Sequence, residues 1–281
     1  MNLFIRLPVE SARATVQIPS SDIEYYGVLD NTAWGYWDFY NERFVSQVGG
    51  KTLTNMDAGN TFNNHQLQVS AQLNKAVRSS MQDNIGDLTM MCVVNLLPNS
   101  RFNATDGLVG VIMGNFTSIG FVQTENGLNF KANAIATSTK IADVTTEGYA
   151  FISMSLNVAA KTLHIRVVQP ASGIDYTRDI VGTNAFTPAG GPLALGNYGY
   201  TTYQSNVVFK YSEFGLYNRT LSAAELEAAH QAARCAVMIK VFIFNKINAL
   251  ILNCTPPMAG CFINHWCSQV FYSALKSKGI L

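Results

Sequence analysis

One stretch, Phe209–Arg234 (FKYSEFGLYNRTLSAAELEAAHQAAR), limits the fold more than any other part of the chain. Its first half alternates with the period of a β-strand: Phe209, Tyr211, Glu213 and Gly215 against Lys210, Ser212, Phe214 and Leu216. A short break follows, and then a helix with a well-specified start. Ser222 is the expected N-cap, and Glu225, three residues on, can return its carboxylate to the Ser222 N–H in a capping box. Leu221 and Leu226 occupy the positions of a hydrophobic staple. The alanines that follow are the best helix formers and carry the helix to about Arg234.

The middle of the chain reads as many short strands joined by polar turns. Leu88–Leu97 is a continuous apolar run with the length of a buried strand, bounded by the turn signals Gly86-Asp87 and Pro98-Asn99. Leu108–Met113, Ser118–Gln123 and Leu128–Ala134 follow at close spacing, with Gly114-Asn115 and Glu125-Asn126-Gly127 as hairpin turns. Cys92, inside the apolar run, reads as a small buried hydrophobe. This strand spacing predicts an all-β antiparallel sandwich or jelly roll with a short helix after the last strand.

The residues Glu213, Phe214, Leu216, Tyr217, Asn218, Arg219, Leu221, Ser222, Glu225 and Leu226 resemble the end of a laminin-G-like domain. Such domains belong to the concanavalin-A-like lectin and glucanase superfamily. Tyr149–Asn157, Lys161–Val168 and Leu193–Asn197 resemble further strands of that family, and the likeness runs from about Leu53 to Arg234. It implies a concanavalin-A-like sandwich whose last strand turns into a small helix covering one edge. It is nearly silent about ligand. Ca²⁺ is the one metal it brings in, held in rim loops by carboxylates and carbonyls. Asp57, Asp83, Asp87 and Asp106 are loop acids of the right type, though none lies in a spaced motif and a solvated turn is the commoner role. No metal ligand is assigned.

The expected domain organisation has three parts. An aromatic-rich segment, 1–50, joins a lectin-like sandwich, 51–234, and an apolar, cysteine-containing appendage follows over 235–281. The first residues, MNLFIRLPVESARA, lack the apolar core of a secretory signal. The appendage carries four lysines and no acid, against 15 basic and 18 acidic residues before it. Its run Val237–Leu252 is interrupted by Lys240, Asn245 and Lys246, which argues against a membrane span. Cys254, Cys261, His265 and Cys267 do not have a recognised zinc spacing. Burial of this segment on assembly, by self-association or against other subunits, is the favoured reading.

Charged residues make up only 13% of the chain, where about 25% is ordinary. A net charge of +1 gives no reason to expect nucleic acid as a partner. No E-x-D-x-x-E strand of the glucanase kind occurs, no G-x-S-x-G or H-E-x-x-H is present, and the four histidines stand far apart. The expectation is a non-catalytic recognition or structural module with no catalytic residues. Its ligand-binding candidates are the aromatics of TAWGYWDFY, namely Trp34, Tyr36 and Trp37, and those of the loop after Asn197, namely Tyr198, Tyr200 and Tyr203. Aromatic faces can stack on sugar rings, yet alternating aromatics also fill sandwich cores. Low charge and an amide-rich surface suggest a virus or phage particle, as capsid decoration or tail fibre, with surface glycans as ligands. The alternatives are a glycan-cleaving enzyme, which needs two carboxylates facing one cleft about 5–9.5 Å apart, and a secreted, extracellular adhesion module glycosylated at Asn103 or Asn115.

Overall fold

In a computed structural model of the protein, the described residues are 32–103, 109–141, 148–201 and 205–233. In chain order the first strands are β1 (Gly35–Asp38), β2 (Thr54–Asn55), β3 (Thr61–Asn63), β4 (Gln66–Ser70), β5 (Val77–Gln82) and β6 (Leu88–Leu96). Then come β7 (Gly110–Gly114), β8 (Ile119–Thr124), β9 (Gly127–Ala132), β10 (Ala136–Lys140) and β11 (Gly148–Asn157). The last four are β12 (Thr162–Gln169), β13 (Ile174–Val181), β14 (Pro192–Leu195) and β15 (Val208–Tyr217). A helix, α1, spans 223–233.

These strands form two antiparallel sheets. One runs β13-β12-β11-β6-β15-β4-β3, with β1 added beside β15; the other runs β10-β9-β8-β7-β14-β5-β2. The protein is an all-β sandwich, as its strand spacing predicts. The core lies between the sheets and is made by alternate residues of each strand. At the middle of the first sheet Ile152, Cys92 and Phe214 stand side by side across β11, β6 and β15. Met154, Met90 and Leu216 form the next layer, and all six side chains are buried. Phe121, Phe130, Leu193 and Leu195 face them from the second sheet.

The central strand β6 is mostly apolar because both of its faces are covered. On the outer face the Thr89 hydroxyl meets the Ser155 hydroxyl at 2.8 Å, and both accept from the Leu221 backbone N–H. These bonds fasten the turn between β15 and α1 to the sheet. The capping box forms as the sequence predicts: Ser222 N–H donates to Glu225 Oε2 at 2.7 Å, and Glu225 N–H donates to Ser222 Oγ at 3.3 Å. Leu221 and Leu226 are both buried. Further along α1, Glu227 Oε2 accepts from Arg166 Nη2 at 2.8 Å and the His230 ring lies 5.4 Å from Phe151.

The closing strand departs from its simple alternation. Tyr211 pairs with Val94 and Glu213 with Val93, so Ser212 is an extra residue in a β-bulge. Phe209 and Tyr211 point into the core before the bulge, and Phe214 and Leu216 after it. Glu213 is thereby turned to the outer face beside β1, where it accepts a hydrogen bond from the Tyr36 hydroxyl. β15 pairs with β4 through Val208–Tyr211 and with β1 through Glu213–Leu216.

The chain divides into two units, Met1–His230 and Gln231–Leu281. Of the second, only the final helical residues 231–233 are described, so the apolar appendage with its four cysteines lies outside the described residues. Among the described residues no helix is long and apolar enough to cross a membrane.

Candidate functional site

The sequence VRSSMQ of β5 alternates cleanly. Val77, Ser79 and Met81 are buried, while Arg78, Ser80 and Gln82 face outward. Arg78 is flanked by Thr54 of β2 on one side and Ala194 of β14 on the other. An open cleft of about 470 Å³ lies over this strip, lined by Thr54, Arg78, Ser80, Gln82, Pro192, Tyr198 and the backbone of Gly190 and Gly191.

One rim of the cleft is built by Asp83, which immediately follows β5 and is only 1% exposed. Its Oδ2 accepts from Ala189 N–H at 2.8 Å and from the Ser118 hydroxyl. Its Oδ1 accepts from the N–H groups of Gly190 and Gly191 at 2.8 and 3.0 Å. The carboxylate thus pins a loop that lies over a hundred residues away in sequence. Gly190 sits at φ +75 with nothing within 4 Å of where a Cβ would be, so the rim is open as well as fixed.

The opposite rim is the turn after β14. Asn197 Oδ1 accepts from Tyr200 N–H at 2.8 Å, and Asn197 Nδ2 donates to Tyr200 O at 3.0 Å. Tyr198, at the centre of that turn, lies under the Arg78 guanidinium, whose carbon is 5.9 Å from the ring centroid. None of the lining side chains is a carboxylate, thiol or imidazole. Besides the buried Ser79, whose hydroxyl donates to Leu193 O, the site offers one cation, one phenol ring, two aliphatic hydroxyls and a carboxamide, which is chemistry for holding a polar ligand.

Of the six aromatic candidates, the structure brings Trp34 and Trp37 beside each other, with ring centroids 6.4 Å apart. Tyr198 alone lines the cleft. Tyr200 turns away and packs edge-on against Phe116, with centroids 5.1 Å apart. Tyr203 lies outside the described residues. Tyr36 and Trp37 do not share a face, because successive residues of β1 point to opposite sides. Trp37 is a core residue, 0% exposed, stacked on Phe214 at 5.5 Å with its indole N–H donating to Phe44 O. Tyr36 is half-buried on the other face, and burial together with the Glu213 carboxylate raises its phenol well above the usual range. Trp34 is half-buried, with the Lys51 ammonium 5.1 Å from its ring.

The loop acids raised as Ca²⁺ ligands have other partners. The four donors just described surround Asp83. Asp87 accepts from Val158 N–H at 2.8 Å and from the Thr220 hydroxyl at 3.1 Å. Asp57 pairs with Lys75 at 3.2 Å, and the Gly59 N–H, with Lys75, lowers its pKa. Asp106 lies outside the described residues. Among the described residues no three His, Cys, Asp or Glu side chains are grouped to hold a metal. Asn115 is buried, its Oδ1 accepting from Ser118 N–H at 3.0 Å, so it cannot carry a glycan in the folded protein.

No protein-family model matches the chain, and no characterised protein matches it in sequence. Solved structures do match in fold. The binding domain of Paraclostridial Mosquitocidal Protein 1 aligns with a TM-score of 0.53 at 13% identity, over 70% of this chain and 51% of that one. The botulinum neurotoxin serotype D binding domain aligns with a TM-score of 0.53 at 8% identity, over 74% and 52%. The chain therefore spans about half the length of these structures. At such identities the likeness is one of fold: a β-sandwich.

Proposed function

We propose that this chain is a non-catalytic recognition module, laminin-G-like within the concanavalin-A-like superfamily, and that the cleft over Thr54, Arg78, Ser80, Gln82 and Tyr198 binds a saccharide. The observation that carries this reading is the lining itself. Hydroxyl and amide groups match the hydrogen-bonding of sugar hydroxyls, and Tyr198 supplies an aromatic face at the turn. Glycoside cleavage needs two carboxylates across the scissile bond, and the lining supplies none. The structures similar in fold carry names of binding domains, which is consistent with a binding role. The setting in a virus or phage particle, and self-association or subunit contacts through residues 235–281, rest on composition alone; light scattering of the full chain tests the second.

A glycan array probed with the wild-type protein, Tyr198→Ala and Trp34→Ala tests the reading. Binding that Tyr198→Ala weakens by roughly tenfold, a change of about 1.4 kcal/mol, and that survives Trp34→Ala is the expected result. Binding lost with Trp34→Ala and retained with Tyr198→Ala would move the site to the other sheet.

A further inference from the structure

We infer that the saccharide taken by this cleft is acidic, and that Arg78 recognises an oxyanion on it. This rests on the proposed reading of the cleft as a saccharide site. Among the described residues, Arg78 is the only charged residue lining the cleft. It is half-buried, and among the described residues the Lys and Arg ion pairs with carboxylates are made by Lys75, Arg166 and Arg219, not by Arg78. Among the described residues, the other two arginines that are withdrawn from solvent behave differently. Arg166 is paired with Asp175 and with Glu227, and Arg219 with Glu225 at 2.7 Å. Arg43, Arg101 and Arg178 are exposed and need no partner.

A partly desolvated guanidinium is normally matched by an anion. The acid adjoining this strip, Asp83, cannot supply it, because its oxygens already serve Ser118 and three backbone N–H groups. Tyr198 holds the guanidinium over its ring. A guanidinium placed over a ring at this distance still has N–H groups to offer as a fork to two oxygens of one carboxylate or sulfate. The hydroxyls of Thr54 and Ser80 and the Gln82 amide are left for the neutral part of the sugar.

The test is calorimetric titration of the full chain with a glucuronic-acid-containing oligosaccharide, its carboxyl-reduced neutral counterpart, and the same neutral oligosaccharide carrying sulfate. The expected result is that the wild type binds one or both acidic forms at least roughly tenfold more tightly than the neutral one. Arg78→Met abolishes that difference, Arg78→Lys restores part of it, and added salt narrows it. Preference for carboxylate over sulfate, or the reverse, identifies the oxyanion. Equal binding of all three forms by the wild type, or an acid preference that persists in Arg78→Met, overturns the inference while leaving the saccharide site standing. No binding of any form, or binding unchanged in Tyr198→Ala, overturns both.

Discussion

At the scale of single residues, the best-supported feature of the site is Asp83. A carboxylate with both oxygens committed to buried N–H and O–H donors cannot be replaced by an amide, which has one acceptor and turns two donors toward other donors. Asp83→Asn is therefore expected to destabilise the protein by at least ~2 kcal/mol, since each buried group left unpaired costs about 1–3 kcal/mol. Chemical denaturation gives the loss, and faster hydrogen exchange at Gly190 and Gly191 would place it at the rim. Trp37 is the counterpart in the core. Trp37→Ala should cost about 3–5 kcal/mol, with little effect on ligand binding once the variant is folded. The Cys92 thiol is buried and its pKa is pushed up by burial, so it should resist thiol reagents in the native state and react only on unfolding; rapid labelling of the folded chain would contradict that.

At the scale of elements, α1 and the hairpin β7–β8 make separate predictions. Ser222→Ala removes an N-cap and should lower stability by about 1 kcal/mol. The Ser222 N–H and then Arg219 lower the pKa of Glu225 below the usual carboxylate value. A carboxylate with a depressed folded pKa adds stability above its unfolded pKa of about 4.3, and that stability fades as pH falls through the folded value. The stability difference between wild type and Glu225→Gln should accordingly be flat from pH 6 to 8 and shrink below about pH 4. Gly114 has φ +93, and an added Cβ would lie 2.3 Å from the Ile119 carbonyl oxygen. Gly114→Ala should cost on the order of 1–3 kcal/mol in strain, read from its melting temperature. The sequence made α1 legible because the capping box is a local code. It made β6 legible because a strand covered on both faces must be apolar along its length. It did not show the bulge at Ser212, since FKYSEFGLY alternates acceptably in either register and only the pairing with β6 and β1 decides where Phe214 points.

At the scale of the whole molecule, the sandwich follows from strand spacing and turn chemistry, which are properties of neighbouring residues. The site does not. Arg78 and Asp83 sit in an unremarkable strand and turn, and their meaning comes from Tyr198 and from the backbone at Ala189–Gly191, over a hundred residues away. Tyr198 could be picked out because an aromatic turn after a strand end stands out locally. Trp34, Tyr36 and Trp37 were conspicuous for the same reason, and strand geometry then placed Tyr36 and Trp37 on opposite faces. The cleft between β2, β5 and the turns at Gly190 and Tyr198 is proposed as the place where this protein meets its ligand. The direct measurement is a backbone-amide NMR titration with an acidic oligosaccharide. Shifts are expected to concentrate at Thr54, Arg78, Ser80, Gln82, Gly190, Gly191 and Tyr198, with the Trp34–Asp38 amides unmoved. Saturable shifts centred on Trp34–Asp38, or on any surface away from the cleft, would contradict it.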